Sequence, residues 1–177
     1  AISGFANSAI WLIVGAFLFS RGFIKTGLGK RIAYNLIAAF GSSSLRLAYA
    51  LALSDLILAP ATPSNTARVG GVIMPITTSL AKAFGSEPQD GPRKIGSFLM
   101  QSIYQVNTIT SAMFQTSMAG NTLVAALALQ SFGIGITWGD WAMAAIVPGI
   151  IALIIMPYFI YKAYPPEIKD AREAQQM

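Results

Sequence analysis

The sequence contains no cysteine and no histidine, and only 11% of its 177 residues are charged. Without these two residue types the chain cannot form disulfides, use thiol or imidazole catalysis, or build the usual zinc sites. Soluble domains carry about 25% charged residues, whereas 54% of this chain is hydrophobic. The composition therefore favours a membrane protein.

Long uncharged stretches give a length test for membrane spans. A helix needs about 20 predominantly apolar residues to cross a hydrocarbon core of about 30 Å. Residues 1–20 and 141–161 pass this test. Residues 95–139 carry no charge at all, and as one straight helix they would measure about 68 Å. This run must break, so we predict a broken transmembrane helix over residues 95–132.

A polar motif, ATPSNTARVGG, interrupts the apolar residues 45–84. The uncharged arms on either side of the motif are only about a dozen residues long, which is too short for two crossings. A single crossing would place neighbouring basic loops on opposite sides of the membrane, against the positive-inside rule. We therefore predict a re-entrant hairpin over residues 45–84. Simple kinks at Pro60 and Pro63 are the alternative, but prolines together with Ser, Asn, Thr, Arg and paired glycines favour a binding site.

The remaining segments follow when every loop lysine and arginine is placed on the cytoplasmic side. The fold class is then an all-α integral membrane protein with a re-entrant hairpin and a discontinuous helix. The net charge of +5 is spread over short loops, which argues against nucleic-acid binding. The other expected segments are a transmembrane helix at 1–20, a cytoplasmic loop with an interfacial helix at 21–44, a cytoplasmic linker at 85–94, an outer loop at 133–140, a transmembrane helix at 141–161 and a cytoplasmic tail at 162–177.

The hairpin tip offers groups that suit an anion. Ser64 and Asn65 are good helix N-caps, so the second arm is expected to start at Thr66 with its amides facing the tip. Carbonyls at the end of the first arm would lack partners and would suit sodium. Arg68 could lend charge to an anion or could brace the fold against Asp55, and the sequence leaves both roles open. Proton coupling through Asp55 stays open as well.

A second polar interruption lies in FQTSMAGNTLVAAL, residues 114–127. Gly120 is the expected break, and Asn121 is the expected N-cap of a half-helix that begins at Thr122. Two discontinuous helices in one half of a membrane protein indicate the substrate site of a secondary transporter. A glycine-rich packing motif is the simpler alternative for this stretch taken alone.

These motifs resemble those of a known family. PSNTAR followed by a glycine pair and MPI, with a polar helix ending in MAGN, resembles the divalent anion:sodium symporter family, especially its branch of 2-oxoglutarate/malate translocators and citrate or tartrate/succinate antiporters. AIWLIVGAFLFSRGFIKTGLGKRIAY and YKAYPPEIKDA extend the resemblance over nearly the whole chain. Because only one Ser-Asn-Thr motif is present, we expect an N-terminal-repeat fragment that does not transport alone.

The resemblance implies one inverted repeat of an elevator-type transporter that works as a homodimer in the lipid bilayer. Family members clasp a substrate carboxylate with the Ser-Asn-Thr residues, which here are Ser64, Asn65 and Thr66. Pro60 stands where some symporters have a sodium-binding serine, and this departure favours exchange over sodium coupling. If sodium binds, the resemblance gives as candidate ligands Ser64, Asn65, Ser117 and Gly120.

We therefore expect secondary transport of di- or tricarboxylates, by exchange of 2-oxoglutarate, malate, succinate, citrate or tartrate, with no enzymatic step and no cofactor other than a sodium ion. Sodium-coupled symport, transport of sulfate or phosphate, and an anion channel with a re-entrant filter loop are the alternatives. The expected location is a bacterial inner membrane or the plastid inner envelope. The expected substrate ligands are Ser64, Asn65, Thr66, Arg68 and Asn121.

Overall fold

A computed structural model describes residues 8–170, which form helices joined by turns with no β-strand among them. The all-α class is therefore confirmed for this part of the chain. Residues 1–7 of the first expected span and residues 171–177 of the expected tail lie outside the described residues. The helices are α1 (Ser8–Lys25), α2 (Leu28–Phe40), α3 (Ser44–Leu58), α4 (Asn65–Arg68), α5 (Met74–Ala83), α6 (Gly96–Met113), α7 (Ala119–Phe132) and α8 (Trp138–Ala163).

The polar motif lies at the turn of a helical hairpin. α3 starts after Ser43, whose side chain accepts from the N–H of Arg46 at 3.4 Å. It runs into a 3-10 turn, Ala59–Ala61, that contains Pro60. The second arm is continuous from α4 to α5 through a π turn, Val69–Ile73, which holds the glycine pair. We call residues 62–66 the tip, which comprises the turn between the arms and the first two residues of the second arm.

The first arm of the hairpin starts, and the second arm finishes, at the same end of the molecule. The N–H of Ser44, where α3 starts, donates to Lys169 O at 3.1 Å, and the N–H of Ile168 donates to Lys94 O at 2.9 Å. Lys94 Nζ donates to Gly85 O, just after α5, at 3.0 Å. The starts of α3 and α6 and the ends of α5 and α8 therefore lie together, and we call this end the base.

The first arm is longer than the uncharged stretch from which the hairpin was predicted. Ser44–Ala61 has 18 residues and, by length and composition, is able to cross a membrane, as is Trp138–Ala163 with 26 residues. Arm length therefore does not separate a re-entrant hairpin from one that crosses twice. A base that holds both ends of the hairpin is compatible with a re-entrant path and with two crossings. It is incompatible only with a single crossing.

α2 lies lengthwise against α3. A Cβ on Gly29, in the first turn of α2, would lie 3.5 Å from Leu58 near the tip, whereas one on Gly41, just after α2, would lie 3.0 Å from Leu47 near the base. The two helices are therefore antiparallel. The structure thus differs from the expected cytoplasmic loop with an interfacial helix at residues 21–44, because the apolar face of α2 packs on the hairpin.

The basic residues consequently do not all gather at one end. Lys30 and Arg31 follow Gly29 directly and are exposed near the tip end of α2, whereas Arg46 lies in the first turn of α3 at the base. This packing separates these basic residues along the molecule, and the assignment of every loop lysine and arginine to one side of the membrane stays a prediction.

The main apolar core lies where α6 packs against the hairpin and α8. Phe98 and Leu99 of α6 are fully buried with Leu51 of α3 and Ile73 of the second arm. α8 begins at Trp138, inside the expected outer loop at residues 133–140, because the side chains of Thr137 and Asp140 form a capping box at its start. Much of the remaining surface of α8 is apolar and exposed, including Met143, Val147, Ile151, Ile154 and Phe159.

Candidate functional site

The tip and the interruption between α6 and α7 lie against each other. α6 ends and α7 begins on either side of residues 114–118, which we call the break. Arg68 Nη1 donates both to Thr62 O in the tip and to Ser117 O in the break, at 3.2 Å each. The two polar interruptions of the sequence therefore form one site.

A second link joins the tip to the break and to α8. Thr116 Oγ1 donates to Pro60 O at 2.7 Å, and Trp138 Nε1 donates to Thr116 Oγ1 at 3.0 Å. The Trp138 ring stacks on Phe114 with 5.8 Å between ring centroids. The first residue of α8 is thus tied through Thr116 to the end of the first hairpin arm.

The Ser-Asn-Thr residues form the start of the second arm. Ser64 Oγ accepts from the N–H of Ala67 at 3.2 Å, so Ser64 is the N-cap and α4 begins at Asn65 rather than at Thr66. Asn65 Oδ1 accepts from the N–H of Thr66 at 2.9 Å. Within the described part of the chain nothing accepts from Asn65 Nδ2 or from the Ser64 hydroxyl. These donors lie on a partly exposed surface and are available to a ligand.

The carbonyls at the end of the first arm already have partners. Leu58 O accepts from Thr62 Oγ1 at 3.0 Å, Ala59 O accepts from the Thr62 N–H at 3.3 Å, and Pro60 O accepts from Thr116. The expectation that these carbonyls would lack partners is therefore wrong, because Thr62 folds back over the turn and Thr116 reaches across from the break. Each carbonyl oxygen keeps a second lone pair that a cation could use.

Arg68 is fully buried, with 0% exposure, and each of the five N–H groups of its guanidinium has an acceptor. Nε donates to Asp55 Oδ1 at 2.8 Å. Nη2 donates to Thr110 Oγ1 and to Ser111 Oγ, both at 3.2 Å, and Nη1 donates to the two carbonyls named above. In this conformation no N–H of Arg68 is left for a substrate, so the contacts support the brace among its two predicted roles.

Asp55 completes the pair from the opposite side. The carboxylate is 2% exposed, and Oδ2 accepts from Thr110 Oγ1 and, at 3.4 Å, from Asn107 Nδ2. Three helices therefore meet at this carboxylate, α3, α4 and α6. Of the roles predicted for Asp55, these contacts describe the structural one.

Asn121 closes the end of α6. α7 begins at Ala119, so the expected half-helix start at Thr122 lies too late and Asn121 is not its N-cap. Asn121 Nδ2 instead donates to Ser111 O at 2.7 Å and to Phe114 O at 2.9 Å, carbonyls for which the helix supplies no partner.

Ser117 and Gly120, the two candidate sodium ligands from the break and α7, occupy different settings. Ser117 is fully buried, and the single proton of its hydroxyl is shared between the carbonyls of Ser111 and Phe114. Gly120 lies in the first turn of α7 and is partly exposed. Among residues 8–170 no three Asp, Glu, His or Cys side chains are grouped to hold a metal ion. A sodium ion here would depend on hydroxyl and carbonyl oxygens, and its site stays a prediction.

Two cavities lie at the base rather than at the tip. One of about 340 Å³ is bounded by Lys82 and Glu87, and another of about 490 Å³ is bounded by Gln101 and Tyr164. Neither cavity contains a predicted substrate ligand.

Sequence reasoning missed the α6 residues of this site. Asn107, Thr110 and Ser111 lie at positions i, i+3 and i+4, and all three contact the Arg68 and Asp55 pair. This spacing places them on one helix face. A stripe of polar residues along one face of this uncharged helix was therefore the signal available in the sequence.

Comparisons with known proteins assign this chain to a family. The chain matches the family described as Sodium:sulfate symporter transmembrane region over residues 1–177. The chain belongs to this family. The resemblance predicted from the PSNTAR and MAGN motifs is therefore confirmed, and so is the location in a membrane.

Relatives within the family carry the names of transporters. The chain is 58% identical to "Putative malate transporter YflS" of Bacillus subtilis, over 99% of this chain and 37% of the relative. It is 50% identical to "Dicarboxylate transporter 1, chloroplastic" of Spinacia oleracea, over 100% of this chain and 31% of the relative. It is 44% identical to "L-tartrate/succinate antiporter" of Escherichia coli strain UTI89, over 96% and 35%. The chain thus spans 31% to 37% of the length of these relatives.

Proposed function

We propose that the protein is a secondary transporter, not an enzyme, that exchanges di- or tricarboxylates across a membrane and holds one substrate carboxylate at the tip. The observation that carries this proposal is a pair of donors, Asn65 Nδ2 and the Ser64 hydroxyl, that have no acceptor among the described residues and lie at the start of a helical arm. The positive end of the dipole of the second arm lies at the same place, which favours an anion. The names of the three relatives supply the substrate class.

Each predicted ligand has a definite part in this proposal. Ser64 and Asn65 orient the carboxylate, and the helix start at Asn65 and Thr66 supplies positive potential. Asn121 acts one step away, because its amide holds the end of α6. The remaining carboxylates of the substrate need donors outside the tip.

The membrane path belongs to the same proposal. The tip has irregular backbone, and such backbone is tolerated at membrane depth only where protein or a water-filled cavity surrounds it. The contacts of the tip with the break supply such surroundings. We therefore retain a re-entrant hairpin within an inverted-repeat protein. The elevator motion and the homodimer follow from the family resemblance alone.

Exchange is preferred to sodium coupling for two reasons. One relative is named an antiporter, and Pro60 replaces a serine that binds sodium in some symporters. The family description names sodium and sulfate, so sodium-coupled symport and sulfate transport are the alternatives within the class. An anion channel is the alternative outside it.

Transport by the full-length protein in proteoliposomes tests the proposal. Vesicles loaded with malate should take up labelled 2-oxoglutarate faster than empty vesicles, and Asn65→Ala should lower uptake at subsaturating substrate. Asn35→Ala, which removes an exposed asparagine of α2, is the matched control. Uptake that does not depend on internal malate would refute exchange. A normal KM in Asn65→Ala would refute the proposal that Asn65 binds the substrate carboxylate. Uptake that stops when potassium replaces sodium would support symport, and a steady anion conductance would support a channel.

A further inference from the structure

We propose that Arg68 is a positioning residue, which together with Asp55 fixes the Ser-Asn-Thr tip to the end of α6 and to the break and does not itself bind substrate. The consequence for transport rests on the function proposed above. The geometric claim is independent of it.

The guanidinium of Arg68 connects four segments that are separate along the chain. Its acceptors are on α3, in the tip, on α6 and in the break, as the five donor contacts above show. The planar fork of arginine has five donors in fixed directions, and lysine could not reproduce them. Because every donor has an acceptor, moving any of the four segments breaks at least one hydrogen bond.

The backbone of Arg68 passes this constraint directly to the substrate ligands. Its N–H donates to Ser64 O at 2.9 Å, and the N–H of Val69 is shared by the carbonyls of Asn65 and Thr66. Arg68 therefore lies one helical turn beyond Ser64 in the same rigid segment. Fixing the guanidinium fixes the direction in which Asn65 Nδ2 and the Ser64 hydroxyl point.

Charge balance also separates a brace from a ligand. The positive charge of Arg68 and the negative charge of Asp55 cancel, because the two buried side chains form an ion pair whose nearest atoms are 2.8 Å apart. Removing one member of a buried pair leaves an unpaired charge, which is far more damaging than removing both. A brace therefore predicts that Arg68→Gln and Asp55→Asn are each harmful, and that their combination removes the unpaired charge and recovers part of the function, although the other contacts of the guanidinium stay lost. A ligand predicts that Asp55→Asn frees Arg68 for the substrate.

A distance measurement tests the geometric claim without any substrate. The chain has no cysteine, so spin labels can be placed at Gly70→Cys, where a side chain meets no atom within 4 Å, and at exposed Leu123→Cys on α7. Cysteines elsewhere in the full-length protein are replaced first. We expect Arg68→Gln to broaden the distance distribution between these labels and the added Asp55→Asn to narrow it again. An unchanged distribution in Arg68→Gln would overturn the proposal.

Uptake kinetics in proteoliposomes form the second arm of the test. Each single neutral variant should raise the KM for dicarboxylate by about tenfold or more, and the double variant should have a lower KM than Arg68→Gln while staying above the wild type. A normal KM in Asp55→Asn, with a double variant as impaired as Arg68→Gln, would overturn positioning in favour of a ligand. Arg31→Gln, at an exposed arginine of α2, is the matched control.

Two further results keep the outcomes separate. If Arg68→Gln does not fold, Arg68→Lys takes its place and should broaden the label distances, because lysine has three donors on a flexible stem. Unchanged distances in that variant would overturn the brace. If the protein moves no dicarboxylate at all, the transport proposal fails while the distance measurement still decides the role of Arg68.

Discussion

Asn121 provides a sharp test of whether the break is held by side chains or by substrate. Its Nδ2 donates at 2.7 Å and 2.9 Å to the carbonyls of Ser111 and Phe114, and the residue is 6% exposed. The single hydroxyl proton of Ser117 is shared between the same two carbonyls, and Phe114 O also accepts from the N–H of Ser117. Asn121→Ala therefore removes two hydrogen bonds but strips neither carbonyl of every partner.

The expected loss of stability follows from this sharing. A protein hydrogen bond contributes about 0.5–1.5 kcal/mol net in water, and about 0.6 kcal/mol on average between membrane helices. Two bonds with no orphaned acceptor therefore predict a loss of about 1–2 kcal/mol for Asn121→Ala. With Ser117→Ala added, the carbonyl of Ser111 loses both of its side-chain donors. The double variant should then lose about 1 kcal/mol more than the sum of the single variants.

Reversible unfolding of the full-length protein by SDS titration measures these differences, and uptake assays give KM for the same variants. A structural cap predicts lower stability together with a modest rise in KM. A direct ligand predicts a large rise in KM with stability unchanged. The second result, or losses in the two single variants that simply add, would refute the assignment of Asn121 to the end of α6. Asn35→Ala again serves as the exposed control.

Two other contacts support similar tests. Gly149→Ala should destabilise the protein by about 1–3 kcal/mol, because a Cβ would lie 2.6 Å from Met113. The same substitution should cost less in a Met113→Ala background, and an equal cost in both backgrounds would place the clash elsewhere. Thr116→Val removes both the hydrogen bond to Pro60 O and the acceptor for Trp138 Nε1. It should therefore lower the stability measured by SDS titration by about 1–3 kcal/mol and shift the tryptophan emission. Thr116→Ser keeps the hydroxyl and should leave the stability and the emission unchanged.

The sequence predicted the parts of this fold that depend on local chemistry. An uncharged run too long for one helix required a break, and Ser64 before Asn65 required a helix start, and both lie within a few residues of their predicted places. The class and the family followed from composition and from the PSNTAR and MAGN motifs. These features depend on residues adjacent in the chain, which is why they could be read without a structure.

Features that depend on tertiary packing could not be read in the same way. Arg68 as brace required knowing that Thr110 and Ser111 face it from α6, more than forty residues later. The position of α2 required knowing that Gly29 would admit Leu58 and Val72 at close range. Charge placement gave no help there, because Lys30 and Arg31 stay exposed whether α2 lies flat at the base or along the hairpin.

The two helix interruptions are stable because each satisfies the other. A helix end in an apolar environment leaves carbonyls without partners, and each such group is costly. Here Thr116 Oγ1 in the break donates to Pro60 O in the hairpin, and Arg68 Nη1 in the hairpin donates to Ser117 O in the break.

Pairing of Arg68 with Asp55 then removes the net charge of the polar motif. Any attraction of the tip for a carboxylate must then come from Asn65 Nδ2, the Ser64 hydroxyl and the dipole of the second arm, which carry no net charge. Neutral dipoles bind an anion without trapping it as an unpaired cation would in a low dielectric. An exchanger must release each substrate that it binds, and a tip whose arginine, Arg68, is already paired with Asp55 fits the exchange proposed above.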